Sequence, residues 1–104
     1  MRKEKKLNID SLGEITVREL TVAQVTEMVE QVQRPDRPNY LIEAILETRL
    51  PIEAVVLATG LAEEKLNSDI TPSEAARVWE AVAEVNSFLS RKLDGQKPAE
   101  AGIP

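Results

Sequence analysis

The sequence has no cysteine and no histidine. The first absence removes disulfides and thiolate chemistry, and the two together remove the ordinary zinc ligand sets. The missing histidine also takes away the side chain most used for proton transfer near neutral pH. Glycine is scarce: Gly60 is the only one between residues 14 and 94, so no glycine-rich phosphate loop can form there. Aromatics are limited to Tyr40, Trp79 and Phe88, which leaves the core to Val, Leu, Ile and Ala. No apolar run reaches about 18 residues, and the basic start leads into Leu7-Asn8-Ile9-Asp10, so neither a membrane span nor a signal peptide is expected. The expectation is a cytoplasmic protein without redox or transition-metal chemistry.

Charge narrows the partners. The chain carries 13 basic and 18 acidic residues, a net −5; its start, MRKEKK, contributes +3, so the remainder stands at −8. Nucleic-acid binding needs a basic face to neutralise phosphates, and this body has the opposite sign. The basic start reads as a solvated terminus.

At 104 residues one domain with one core is expected. Leu7 and Ile9 alternate with polar neighbours, Asp10-Ser11-Leu12-Gly13 supplies a turn, and Ile15 and Val17 alternate with Thr16 and Arg18. That is a β-hairpin, with Gly13 taking an unusual backbone angle. Thr21 and Gln24 form a capping-box pattern that opens a helix with Val22, Val25, Met28, Val29 and Val32 on one face. These five span about 120°, the width of a core-facing stripe. Arg34-Pro35-Asp36-Arg37-Pro38-Asn39 is a loop.

From Tyr40 to Leu50 the segment is apolar on more than one side, with Leu41, Ala44, Ile45 and Thr48 on one face and Ile42 and Leu46 beside it. It is expected to sit centrally, packed on both flanks. Pro51 opens another helix, IEAVVLAT, which Gly60 ends, and AEEKL gives one more helical turn. Thr71, Pro72 and Glu74 then supply cap, first helical position and capping-box partner. Along that helix Ala75, Val78, Trp79, Val82, Val85, Leu89 and Leu93 share one side, with Arg77, Glu80, Glu84 and Arg91 opposite.

Asn86 falls inside this apolar stripe and Phe88 outside it, which leaves two alternatives. In an unbroken helix Asn86 is buried and needs partners from the hairpin or a nearby loop, because an unpaired amide costs about 1–3 kcal/mol, and Phe88 is exposed. If the helix stops near Val85, Asn86 caps a short last helix and Phe88 can turn inward. Beyond Leu93, DGQKPAEAGIP lacks apolar periodicity and reads as a disordered tail.

No catalytic constellation is found. Glu63 with Glu64, and Glu80 with Glu84, pair carboxylates that could bind a cation or share a proton, but no further acid or base converges on them, and they read as surface charge. No base marks any Ser or Thr as a nucleophile. PIEAVVLATGLAEEKL has a helix-turn-helix outline, yet its second helix carries Glu63 and Glu64 against Lys65, which would repel phosphates.

The order GEITVRELTVAQV, a TGL-type turn and LNSDITPSEAARVWEAVAEVN, with Phe two residues on, resembles the tail assembly chaperone group of tailed phages, in particular the Mu-like prophage tail proteins. The matching residues are Val17 to Val22, Thr59 to Leu61, Ile70 to Glu74, Asn86 and Phe88, spread over about residues 13 to 90. Those relatives often place proline after the asparagine and then two aromatics, whereas this chain has Ser87, Phe88 and Leu89. The resemblance implies a non-enzymatic factor of the bacterial host cytoplasm that coats the long helical tape-measure protein before the tail tube polymerises around it. It also allows a longer, frameshifted form.

The sequence therefore predicts a mainly α fold: a single domain over residues 1–93, with the hairpin over 6–20 and about four or five helices over 21–93, then a tail over 94–104. The expected function is tail assembly chaperone, with the tape-measure protein as partner and no catalytic residue, cofactor, metal, nucleic acid or membrane. The rival readings are a structural adaptor or homo-oligomeric subunit of a phage particle, and a small helix-turn-helix DNA-binding protein. As the only aromatics, Tyr40, Trp79 and Phe88 are the expected partner contacts, and Trp79 also suits the core.

Overall fold

The structure, a computed structural model, describes residues 2–89; among these, two strands and five helices follow one another, and a further helical stretch begins at residues 87–89. Strands β1 (Glu4–Ile9) and β2 (Gly13–Arg18) pair antiparallel, with Leu7 opposite Ile15 and Ile9 opposite Gly13. The three-residue loop between them closes through the Leu12 N–H donating to the Ile9 carbonyl at 2.9 Å. Gly13 lies at φ +79, the left-handed position such a loop needs, where a side chain would be strained although nothing crowds it.

The hairpin begins two residues earlier than expected, and the basic start is no free terminus. Glu4 faces Arg18 across the ladder and accepts from its Nε at 2.9 Å, Arg2 donates to the Glu19 carbonyl and to Gln24, and Lys5 reaches Glu84 of the last helix at 2.6 Å. Opposite charges placed directly across a ladder extend the pairing where apolar alternation has run out.

Helices α1 (Val22–Val32), α2 (Leu41–Leu46), α3 (Ile52–Thr59), α4 (Glu63–Asn67) and α5 (Pro72–Val85) complete the fold. Both capping boxes form in full, at Thr21 with Gln24 and at Thr71 with Glu74. Pro51 stands at the cap of α3 and Gly60 ends that helix in the left-handed conformation at φ 74. The inner face of the hairpin (Ile9, Ile15, Val17) lies on α3 and α5, as a two-stranded sheet requires. The core is one cluster centred on Ile52, Ala54, Val55, Val78, Trp79 and Val82. Trp79 donates its indole N–H to the Leu50 carbonyl at 3.0 Å, which satisfies its one polar atom.

Glu74 joins two elements. Its carboxylate accepts from the Thr71 N–H (3.0 Å) and from the hydroxyl and N–H of Ser11 at the hairpin tip (2.7 and 3.2 Å). The bond from the Thr71 backbone, and then those from Ser11, hold its pKa down to about 2 from an ordinary 4.5. Because the folded value is depressed, the stability this carboxylate adds is complete above pH 4.5 and is lost as pH falls toward 2. Thermal melts of wild type and Glu74→Gln should differ at neutral pH and converge in acid.

Two expectations about facing are corrected. The α1 stripe does not point wholly into the core: Met28 is buried and Val25 and Val32 are half-buried, while Val22 is 84% exposed and Val29 41%. The segment from Tyr40 to Leu50 is neither one helix nor central. α2 ends at Leu46, Glu47 turns left-handed at φ 53, and Leu41 and Ile45 lie outward at 69% and 47% exposure while Ile42 is buried. Burial of Ile42 and the bonds of Glu43 to Arg37 and to the Ile52 N–H accompany this facing.

On α5 the expected stripe is buried from Ala75 through Leu89, widened by Ala81. At its end the two alternatives are both partly realised. The helix stops at Val85 and resumes as a turn over residues 87–89, with Asn86 at the break. The Asn86 side chain is nonetheless fully buried: its Oδ1 accepts from the Leu20 N–H at 2.8 Å, and its Nδ2 donates to the carbonyls of Val82 (3.1 Å) and Arg18 (3.3 Å). Phe88 does not turn inward and is 40% exposed. The expectations for Arg91, Leu93 and the tail over 94–104 lie outside the described residues.

Candidate functional site

The loop 34–39 places two arginines against the start of α3. Its prolines fix the backbone on either side of Asp36 and Arg37. Arg37 grips Glu53 with two bonds, Nε to Oε2 and Nη2 to Oε1, each 2.7 Å, and also donates to Glu43 at 2.6 Å. Glu53 is only 6% exposed, so it is a buried carboxylate held by a fork-shaped partner. The bonds to Glu53 raise the Arg37 pKa despite burial. Burial pushes the Glu53 carboxyl up, but the opposing hydrogen bonds from Arg37, a backbone bond and the nearby arginine charges outweigh it and leave the pKa lowered. Glu43 also accepts the Ile52 N–H at 2.8 Å, satisfying an amide of the first turn of α3.

Beside this cluster lies a cleft of about 340 Å³. Its apolar walls are Met28, Val29 and Val32 of α1, Pro51 and Leu89, and Gln33, Arg37, Glu43, Thr48 and Arg49 complete it. Of the exposed apolar side chains, Val29 is itself a wall of the cleft; Leu41 and Ile45 stand two residues to either side of Glu43 on α2, on the side of that helix turned away from it, and Phe88 precedes Leu89. With apolar walls and a few polar groups, the cleft can bind another protein's apolar side chains.

The three expected contact residues are not brought together. Tyr40 is buried: its hydroxyl donates to Glu63 at 2.8 Å and accepts from Arg34 at 3.1 Å, and the Arg37 guanidinium lies 5.0 Å from its ring centre. Burial, and then the bond to Glu63, raise its pKa. Trp79 is buried as well. Both are committed to structural bonds, and of the three only Phe88 lies at the surface. The residues that sequence reasoning missed are Val22, Val29, Leu41 and Ile45. The i, i+4 spacing of Leu41 and Ile45 marked a face without telling which way it points.

The acidic pairs have other occupations, Glu63 bound to Tyr40 and Glu84 to Lys5. Among the described residues no group of three or more Asp or Glu side chains is placed to hold a metal ion. The helix-turn-helix outline is realised as α3, Gly60 and α4, but α4 has five residues and begins with Glu63 and Glu64. No helix among the described residues is long and apolar enough to cross a membrane. Compared with known proteins, the chain matches no family model, no curated protein and no solved structure.

Proposed function

We propose that this chain is a non-enzymatic protein-binding factor, a phage tail assembly chaperone that holds apolar helical segments of a tape-measure protein until the tail tube forms around them. The observation that carries the reading is the set of large apolar side chains left at the surface, Val22, Val29, Leu41, Ile45 and Phe88, on elements that also wall the cleft. Apolar surface of this kind rimmed by polar groups suits protein docking. The short RELTV, TGL and ITPSE elements and the Asn86–Phe88 pair give the assignment its phage-tail content. A net charge of −5 would keep the complex dispersed.

Co-expression with a phage tape-measure protein tests the reading, with co-purification and a soluble partner as the expected result. Phe88→Ala, at a half-exposed position, is expected to retain the far-ultraviolet circular dichroism of the wild type while several-fold less partner is retained. A partner that stays soluble alone and ignores the wild-type chain overturns the proposal.

A further inference from the structure

Strand β1 is an edge of the two-stranded sheet, and its main chain is only half used. The Glu19 N–H donates to the Lys3 carbonyl at 2.8 Å and the Leu12 N–H to the Ile9 carbonyl, so the odd-numbered residues of β1 turn their main-chain groups toward β2. Residues of an antiparallel ladder alternate in this respect, and Glu4, Lys6 and Asn8 therefore turn theirs outward. Among the described residues, none of the N–H and C=O groups of these three has a hydrogen-bond partner. The other edge is guarded at its end, where the Asn86 amide takes the Arg18 carbonyl.

Open edges are ordinarily blunted by proline, by a bulge or by charge. β1 has no proline, its register with β2 runs unbroken from Glu4 to Ile9, Glu4 is paired with Arg18, and Lys5 is spent on Glu84. Lys6 is the charge that remains, exposed and without a side-chain partner among the described residues. On the inner face Leu7 packs against the core yet is only half-buried.

We infer that β1 takes up an extended segment of another protein as a third, antiparallel strand, with an acidic residue opposite Lys6 and an apolar residue beside Leu7. Main-chain groups offered at every second residue fit an extended chain, whereas a helix has already used its own within itself. Five residues reach from Glu4 to Asn8, and alternate side chains of such a segment face solvent and the inner face. A carboxylate on the solvent face supplies the charge that Lys6 lacks, and an apolar side chain on the inner face covers the open part of Leu7. No residue of β1 walls the cleft, and this surface does not depend on the chaperone reading, so either can fail alone.

A second copy of the chain fits less well. The antiparallel register that pairs all three outward residues sets Lys6 opposite Lys6, and like charges directly across a ladder destabilise it. It also brings together two bodies of net −5.

Amide hydrogen exchange in the full chain should find Lys5 and Leu7 slow, and Lys6 and Asn8 fast. The capped peptide Thr-Val-Glu-Val-Thr, titrated to about 1 mM, should then slow the Glu4, Lys6 and Asn8 amides. Methylating the peptide's Glu nitrogen, which faces β1, should weaken binding at least about tenfold, whereas methylating a Val nitrogen, which faces away, should change it less than about twofold. Replacing that Glu by Lys should weaken binding to the wild type about fivefold, and Lys6→Glu should restore it. Equal losses from the two methylations overturn the inference, because side chains alone would then make the contact. A wild-type chain with fast Lys6 and Asn8 amides that ignores the peptide at about 1 mM also overturns it. Protection of those amides without peptide, rising with protein concentration, overturns it in favour of a second copy.

Discussion

Asn86→Ala is expected to lower the free energy of unfolding by about 2–4 kcal/mol, which for a domain of this size is a fall in Tm of roughly 10–20 °C. Asn86 is fully buried, and its amide joins the end of the hairpin to the end of α5. Alanine leaves the Leu20 N–H and the Arg18 carbonyl without this partner, and an unpaired buried group costs more than the bond contributes when made. Asn86→Asp should be no better at neutral pH, because it keeps the acceptor for Leu20 but turns a carboxylate toward the carbonyls of Val82 and Arg18. Burial would raise the folded pKa of such an aspartate, so its deficit should shrink as pH falls through that value. Chemical denaturation of the two variants checks this, and an Asn86→Ala protein within about 0.5 kcal/mol of wild type would contradict it.

Arg37→Met should cost about 2–4 kcal/mol. Removing one member of a buried pair strands the other, a penalty of about 3–5 kcal/mol, reduced here because Arg37 keeps 17% exposure and Arg34 remains 3.5 Å from Glu53. Adding Glu53→Met should restore at least about half of the loss, since an apolar pair can replace a buried ion pair with little net change. The pH dependence has a definite sign. In the wild type the Glu53 pKa is lowered from its ordinary 4.5, so this carboxylate's contribution is complete above 4.5 and lost as pH falls through the lower folded value. Without Arg37 burial acts with less opposition and the folded pKa rises, so the gap between wild type and Arg37→Met should narrow on acidification. Melts at neutral pH and near pH 4 test it; a gap of constant width would mean that Glu53 is not the group left stranded.

Much of the fold was legible because its signals are local. Thr21 with Gln24, Thr71 with Pro72 and Glu74, and the glycines at 13 and 60 each specify a cap or turn through atoms within a few residues, and all of them formed. The α5 stripe was legible because one helix long enough for four turns shows its period clearly. Facing was harder. Periodicity in α1 and α2 gives the spacing of apolar residues but not which side meets the core, and in α2 the side that does carries Ile42, next to Glu43 with its bonds to Arg37 and the Ile52 N–H. The Arg37–Glu53 bond joins a loop to a helix 16 residues on and has no sequence signature. Asn86 defeated an either-or reading because it ends the helix and is buried in one arrangement, with its partners 66 and 68 residues away. For the site, the surface position of Phe88 follows from its place outside the apolar stripe of α5. The roles of Tyr40 and Trp79 turned on hydrogen bonds from their polar atoms to Glu63 and the Leu50 carbonyl, which only the tertiary fold supplies.

The most direct test of the protein-binding account is light scattering from a tape-measure protein diluted out of denaturant, with increasing amounts of this chain. Scattering is expected to fall in proportion to the chain added, without any nucleotide, and Phe88→Ala, at a 40% exposed position, is expected to restore part of it. Scattering unchanged by a folded, excess wild-type chain would contradict the account.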